Sequence, residues 1–433
     1  MAKQIRRKDS AGAVLQKGEG QRKDGRYYFE WTDRYEKRHF IYGATLDELR
    51  DKKSELAISI LEGLAFDKSN MTLNDAIECW RKIREDDVAI GALKPTTLSQ
   101  YLIAYNNHAR DSFGNLKIKD ITKTKLETFY KQKMASGLGL SQIANIAKPI
   151  NQALAIAEDE NWIRKSPTKR AIMPVVLAEK RRREKEYTGI KALTSEQQGL
   201  LTGWLETDPD RTPLRCIVNT FLSTGLRIGE LAALQKSDVK SDFISVRHSY
   251  AYFSTEIDGE RKMVRLMQDP KSRAANRDIP LIQSAIDAIE EYQEWTRRND
   301  ISLVEPINGF DSFIFLTRKG WPHTDAGINV ALKRAVATIN KEQQEKGSSL
   351  LLPSISCHWL RRTFATRLCE AGVSLKVAQY LLGHESINMT ANVYTAVQSK
   401  TAQREMLRLE KTGADFAPTP VQQKYNKFSD FLL

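Results

Sequence analysis

The 433-residue chain carries 67 lysines and arginines against 54 aspartates and glutamates, a formal net charge of +13, and its pI is near 9.4; such an excess favours a polyanionic partner and salt-sensitive association with nucleic acid. Cys79, Cys216, Cys357 and Cys369 form no C-x-x-C pair, so neither disulfide scaffolding nor a zinc site is expected. No apolar run approaches the ~20 residues of a membrane span and no signal h-region opens the chain, so a cytoplasmic protein with no membrane partner is expected, its length accommodating about two to four domains.

In chain order, residues 1–65 read as a small basic module. Gln21-Arg22-Lys23-Asp24-Gly25 contains a turn, and Arg26-Tyr27-Tyr28-Phe29-Glu30-Trp31 is strand-like by its aromatics. A second turn near Asp33 to Lys37 leads to Arg38-His39-Phe40-Ile41-Tyr42, and Thr45-Leu46-Asp47-Glu48 is a capping box opening a helix through Leu49, Leu56 and Leu61. A short sheet with one flanking helix and a basic, aromatic face is suited to laying strands in a DNA major groove.

Residues 70–170 turn wholly helical. Thr72 precedes Leu73, Ile77 and Trp80; Thr96 and Thr97 follow Pro95 into Leu98, Tyr101, Leu102 and Tyr105. Thr122 precedes Leu126, Phe129 and Tyr130, and Ser141 opens a stripe of Ile143, Ile146, Ile150 and Leu154 in which Pro149 predicts a kink. Four such helices make a compact bundle. Residues 171–189, with the charge run Glu179-Lys180-Arg181-Arg182-Arg183-Glu184-Lys185, read as a basic linker.

Within 190–415, Thr194 with Gln197 makes another capping box, Pro213 to Ser223 reads as a helix with Gly225 past its end, and Arg227 stands at the start of the next helix, where free backbone N–H groups favour an anion. Glu230, one turn on, is placed to accept from Arg227. Phe243 to Tyr252, Arg261 to Gln268 and Arg277 to Leu281 predict a three-stranded antiparallel sheet, with Lys271 in the connection before the third strand. Helical patterns return at Ser284 to Arg298 and Asp325 to Ile339. Leu360, Phe364 and Leu368 form the buried stripe of a later helix on which His358 and Arg361 share another face. Gly372 stops that helix, Ser374 starts the next, and Gly383 ends it, so His384 falls at a turn. Ser386 caps a third short helix that presents Tyr394 inward. The tail, 416–433, ends in an apolar segment suited to docking on a sister protomer, with no particular contact specified.

These blocks carry a resemblance. H-x-L-R-R-T at His358, L-L-G-H ending at His384 and a tyrosine ten residues later resemble the end of the catalytic domain of the tyrosine recombinases, the phage-integrase family. Thr224-Gly225-Leu226-Arg227-Ile228-Gly229-Glu230-Leu231 matches the family's upstream arginine box, and Lys271, six residues before Arg277-Asp278-Ile279-Pro280-Leu281, matches its hairpin lysine. One departure is Ala274-Ala275-Asn276, where the family often carries serine or threonine. Residues 18–28 resemble the arm-type DNA-binding domain of conjugative-transposon integrases, and 70–170 the family's core-binding domain.

The resemblance implies a mainly α, mixed fold: a β-sheet-plus-helix arm module, a helical core-binding domain and an α+β catalytic domain. It implies a site-specific DNA recombinase that integrates and excises a mobile element through a 3′-phosphotyrosine, with no cofactor. Its catalytic residues would be Arg227, Lys271, His358, Arg361, His384 and Tyr394: two guanidinium forks at the phosphate, imidazoles as proton acceptor and donor, Lys271 protonating the leaving 5′ oxygen, and Tyr394 the nucleophile. The implied partners are double-stranded DNA at a crossover site and a separate arm site, four protomers per synapse, and an excisionase or DNA-bending accessory protein. The other readings are a type IB topoisomerase-like nicking-rejoining enzyme and a catalytically inactive DNA-binding regulator with the same fold.

Overall fold

The computed structural model describes residues 7–32, 38–61, 68, 70–185, 191–257, 260–270, 273–391 and 393–394, and the chain divides into two units, Met1–Glu186 and Tyr187–Leu433. The first unit opens with an antiparallel sheet of β1 (Glu19–Gln21), β2 (Tyr27–Thr32) and β3 (Arg38–Gly43), followed by α1 (Leu46–Leu61). With Phe29 opposite Ile41 and Tyr28 opposite Tyr42, strand alternation sends Tyr27, Phe29, Trp31 and Ile41 against Leu46, Leu49 and Leu56 of the helix. Phe40 and Tyr42 are left exposed on the other face, their rings stacked at 6.4 Å with the Arg22 guanidinium 5.7 Å above Tyr42. Strand β1 has no signature in the sequence, being three residues long with a central glycine. What holds it is Glu19, buried beneath Arg50 and Lys53 of α1 at 3.4 and 3.1 Å.

The helical part of this unit comprises α2 (Leu73–Ala89), α3 (Pro95–His108), α4 (Lys123–Ala135), α5 (Leu140–Asp159) and α6 (Met173–Lys185). Thr72 and Asp75 close the capping box of α2, and Thr122 caps α4. Helix α5 starts at Leu140, one residue before Ser141, because Gln142 reaches back to the Gly139 N–H. A shared core joins Trp80, Tyr105, Tyr130, Ile143, Ile146, Ile150 and Leu154. The stretch read as a linker, 171–189, is different: most of it is α6, because Ala171 and Val175 enter that core and Arg182 pairs with the buried Glu179 at 2.9 Å. Charge density alone concealed a helix.

Trp80 is fully buried and its Nε1 donates to Gln152 Oε1 of α5 at 2.8 Å. Trp80→Ala is therefore expected to destabilise this unit by about 3–5 kcal/mol, the usual range for emptying a large aromatic site, seen as a lower denaturant midpoint for its own unfolding transition while that of the other unit stays put.

The second unit contains α7 (Ser195–Glu206), α8 (Thr212–Thr224), α9 (Ile228–Ala233), β4 (Phe243–Val246), β5 (Ser249–Ile257), β6 (Glu260–Gln268), β7 (Arg277–Pro280), α10 (Gln283–Arg298), α11 (Asp325–Glu345), α12 (Cys357–Glu370) and α13 (Leu375–Leu382). Phe221, Leu226, Tyr292, Phe315, Leu332 and Leu360 knit these helices into one core. The expected three-stranded sheet is corrected: 243–252 breaks into β4 and β5, giving two separate two-stranded antiparallel ladders, β4 with β7 and β5 with β6. The break falls at Arg247-His248. There the Arg247 guanidinium donates to the carbonyls of Val246 and Arg277 at 3.1 and 2.9 Å and pairs with Asp278, while the His248 ring packs on Phe310 at 4.7 Å. A side chain thus takes an acceptor that a continuing ladder would use. After α13, residues 387–391 and 393–394 are helical. The expected tail, 416–433, lies outside the described residues, and among those described no helix is long and apolar enough to cross a membrane.

Candidate active site

Helix α8 ends at Gly225, in the left-handed region at φ +62°. A Cβ there would lie 2.2 Å from Phe364 Cδ1, so this position demands glycine for both its backbone and its clearance. The chain reverses, buries Leu226 and starts α9 with Arg227 as its N-cap. Glu230 then closes back on Arg227: Oε2 accepts from the backbone N–H at 2.9 Å and Oε1 from Nη1 at 2.7 Å, while Nη2 donates to the Gly383 carbonyl at 2.8 Å.

Arg361 arrives on α12 from the other side. Its guanidinium is buried and donates to the carbonyls of Gly225 and Leu382. Arg361 therefore braces two turns, one after α8 and one after α13, and Arg227 holds the second of them as well, although Arg361 lies 136 residues from Gly225 and Arg227 lies 156 from Gly383. His358, one helical turn before Arg361, is exposed. His384 follows Gly383, itself left-handed at φ +59°, and its Nδ1 is 2.9 Å from Thr390 Oγ1.

A third guanidinium completes the cluster. Arg277 of β7 has no exposed side-chain surface; it meets Glu230 through Nη2 to Oε2 at 2.9 Å and Nη1 to Oε1 at 3.3 Å, and donates through Nε to the Leu381 carbonyl at 2.7 Å. Two guanidiniums, those of Arg227 and Arg277, thus share one carboxylate, with Arg361 acting on it only through its charge. Burial alone would raise the Glu230 carboxyl, but Arg277, then Arg227 and Arg361, hold it down at about 2. Burial, reinforced by Arg227, lowers Arg361 to about 9. His384 is lowered to about 4, first by burial and then by Arg361, Arg227, Arg277 and His358, and His358, whose surface is only partly covered, is lowered by that partial burial, Arg362, Arg361 and Arg227. At neutral pH His384 is therefore a neutral imidazole, set in a region of uncompensated positive charge. Such a region is built for an anion.

Of the six residues picked out in the sequence, Arg227, His358, Arg361 and His384 converge. Tyr394 is 7% exposed, and its hydroxyl donates at 2.7 Å to the carbonyl of Val373, in the turn between α12 and α13. Burial raises its phenol, Cys369 adding to the effect, so the group is protonated at neutral pH. Lys271 lies outside the described residues. Sequence reasoning passed over Arg277 and Thr390 as members of the site. The R-x-I-P-L strand and the spacing of Thr390 to Tyr394 were visible, but only packing shows where their side chains go.

Comparison with known proteins gives the same family as the sequence motifs. Residues 191–401 match the model of the phage integrase family, 3–59 the DNA binding domain of Tn916 integrase, and 87–134 the N-terminal SAM-like domain of phage integrases. The chain is 28% identical over 422 residues to the transposase from transposon Tn916 of Enterococcus faecalis, covering 94% of this chain and 97% of that one. It is 27% identical to a XerC-like tyrosine recombinase of Caldanaerobacter subterraneus, over 83% and 88% of the two chains. The fold is similar to that of the Tn1549 transposon integrase solved with transposon right end DNA, at a TM-score of 0.60 and 24% identity, covering 78% of this chain and all of that one. With the arginine box at Arg227, the H-x-L-R-R-T helix and the L-L-G-H turn assembled about one positively charged cluster, the chain belongs to the phage integrase family and is a tyrosine recombinase of the Tn916 integrase type.

Proposed function

We propose that this tyrosine recombinase cleaves and rejoins double-stranded DNA with Tyr394 as nucleophile, Arg227, Arg361, His358 and His384 around the scissile phosphate, and Lys271 as the acid. The supporting observation is that Arg361 holds the Gly225 and Leu382 carbonyls while Arg227 holds that of Gly383 and shares the Glu230 carboxylate with Arg277. A phosphodiester brings one negative charge and gains a second as a pentacovalent transition state forms. Three guanidiniums less one carboxylate leave two positive charges to meet it, preorganised and largely out of water.

The tyrosine oxygen forms the bond to phosphorus as the bond to the 5′ oxygen breaks. The phenolic proton passes to neutral His358, the 5′ oxygen takes a proton from Lys271, and His384 donates to a non-bridging oxygen. The phosphotyrosine keeps the bond energy, so attack by a 5′ hydroxyl reverses the step on the same or another strand. Before any of this, the Tyr394 hydroxyl has to leave the Val373 carbonyl.

The arm module, 1–65, would take a second DNA site on the face bearing Phe40, Tyr42 and Arg22; residues 70–170 and the catalytic domain, 190–415, would each bind the crossover duplex. Four protomers per synapse follow from two duplexes each needing two cuts. An excisionase or DNA-bending protein would set direction, and the reaction would take place in the cytoplasm, on nucleoid DNA. The test is a suicide substrate carrying the element's crossover site and a labelled phosphate: the expected result is a covalent adduct whose labelled peptide contains Tyr394. A label mapping to any other residue, or no adduct on a substrate that the protein binds, would sink the reading.

A further inference from the structure

We propose that Arg277, buried beneath the cluster, is a positioning residue for DNA cleavage: it fixes the Arg227 fork through their shared Glu230 carboxylate and sets the turn that carries His384. The proposal rests on the reaction proposed above and adds a residue to it.

The geometry separates Arg277 from the residues that face the anion. Its side chain has no exposed surface, whereas that of Arg227 is 32% exposed, so a phosphate reaches the second and not the first. Every nitrogen of the Arg277 fork is engaged: two on Glu230, one on the Leu381 carbonyl, and Nη1 also on the Ala275 carbonyl at 3.0 Å. Glu230 in turn holds both the backbone and the side chain of Arg227. One carboxylate is thus gripped from below by Arg277 and presents Arg227 above.

The second arm of the argument is the turn. Arg277 Nε holds the Leu381 carbonyl, while Arg361 holds that of Leu382 and Arg227 that of Gly383. Three consecutive carbonyls ahead of His384 are each fixed by a different arginine. A Cβ at Gly383 would lie 2.8 Å from Arg277 Nη1, so the glycine of L-L-G-H leaves room for this guanidinium as well as supplying the left-handed backbone. Through Ala275, Arg277 also ties down the chain four residues beyond Lys271. An ammonium would supply the charge at this position but not the planar fork that reaches Glu230, Leu381 and Ala275 together.

The experiment uses the full chain, the crossover suicide substrate and single-turnover conditions, with folding followed by thermal unfolding and DNA affinity measured in parallel. Arg277→Met is expected to bind DNA normally and to cleave about 10²-fold more slowly, the effect of misplacing reacting groups by about an ångström. Its rate should also acquire an acid limb displaced toward neutral pH, because Glu230 loses the counter-ion that lowers its carboxyl most while remaining buried. Adding Glu230→Gln should abolish that limb without restoring the rate, since an amide cannot hold Arg227 as the carboxylate does. Arg277→Lys, which keeps the charge and serves if the methionine variant is poorly folded, should lie between wild type and Arg277→Met. Wild-type rate with an unchanged pH profile in both single variants would overturn the proposal. So would losses that only track the unfolded fraction, which would make Arg277 structural. Failure of the wild-type protein to form any adduct would instead reject the underlying reaction.

Discussion

Tyr394→Phe abolishes covalent protein–DNA adducts on the suicide substrate while leaving DNA affinity and folding close to wild type. The substitution removes one oxygen. The ring stays packed at 7% exposure, and the hydrogen bond lost to the Val373 carbonyl is worth about 1 kcal/mol. Cleavage, by contrast, loses its nucleophile outright, and no rearrangement of the cluster replaces it. The two readouts are therefore separated by the whole range of the assay. Adducts of undiminished yield from the phenylalanine variant would place the nucleophile on another residue and dismantle the proposed mechanism.

The second large effect is expected at the guanidinium forks. Arg361→Lys should slow single-turnover cleavage on the order of 10²–10³-fold, by analogy with removal of one preorganised donor from an oxyanion hole. DNA affinity, spread over many phosphate contacts, should hold. Lysine preserves the positive charge, so the loss isolates the fork: Arg361 spans the Gly225 and Leu382 carbonyls, and a single ammonium does not hold both while facing a phosphate. Arg227→Lys should behave alike. Because both forks serve one transition state, the double variant should lose less than the product of the single losses. Cleavage by Arg361→Lys at near wild-type rate would show that charge alone suffices there.

Much of this site was legible in the chain itself. Gly225 and Gly383 marked helix ends, and the structure puts both in the left-handed region; the spacing of His358 and Arg361 put both on one part of α12. What misled was local: the run 179–185 looked like a solvated linker because its charges hid the apolar positions Ala171 and Val175, which precede it and enter the bundle core. The three-stranded sheet failed because nothing in the strand pattern reveals that Arg247 spends its guanidinium on the Arg277 carbonyl.

Taken alone, the sequence determined most of the helices with their caps and stops, and the order of the motif blocks, since these depend on neighbours within a few residues. Tertiary structure decided which groups share a charge. Glu230 meets Arg277 across 47 residues and Arg277 meets Leu381 across 104. Such pairings follow from how the helices close on one another and leave no period in the chain. The same holds for the Tyr394 hydroxyl, which helical spacing placed on an inward face but which packing directs to the Val373 carbonyl.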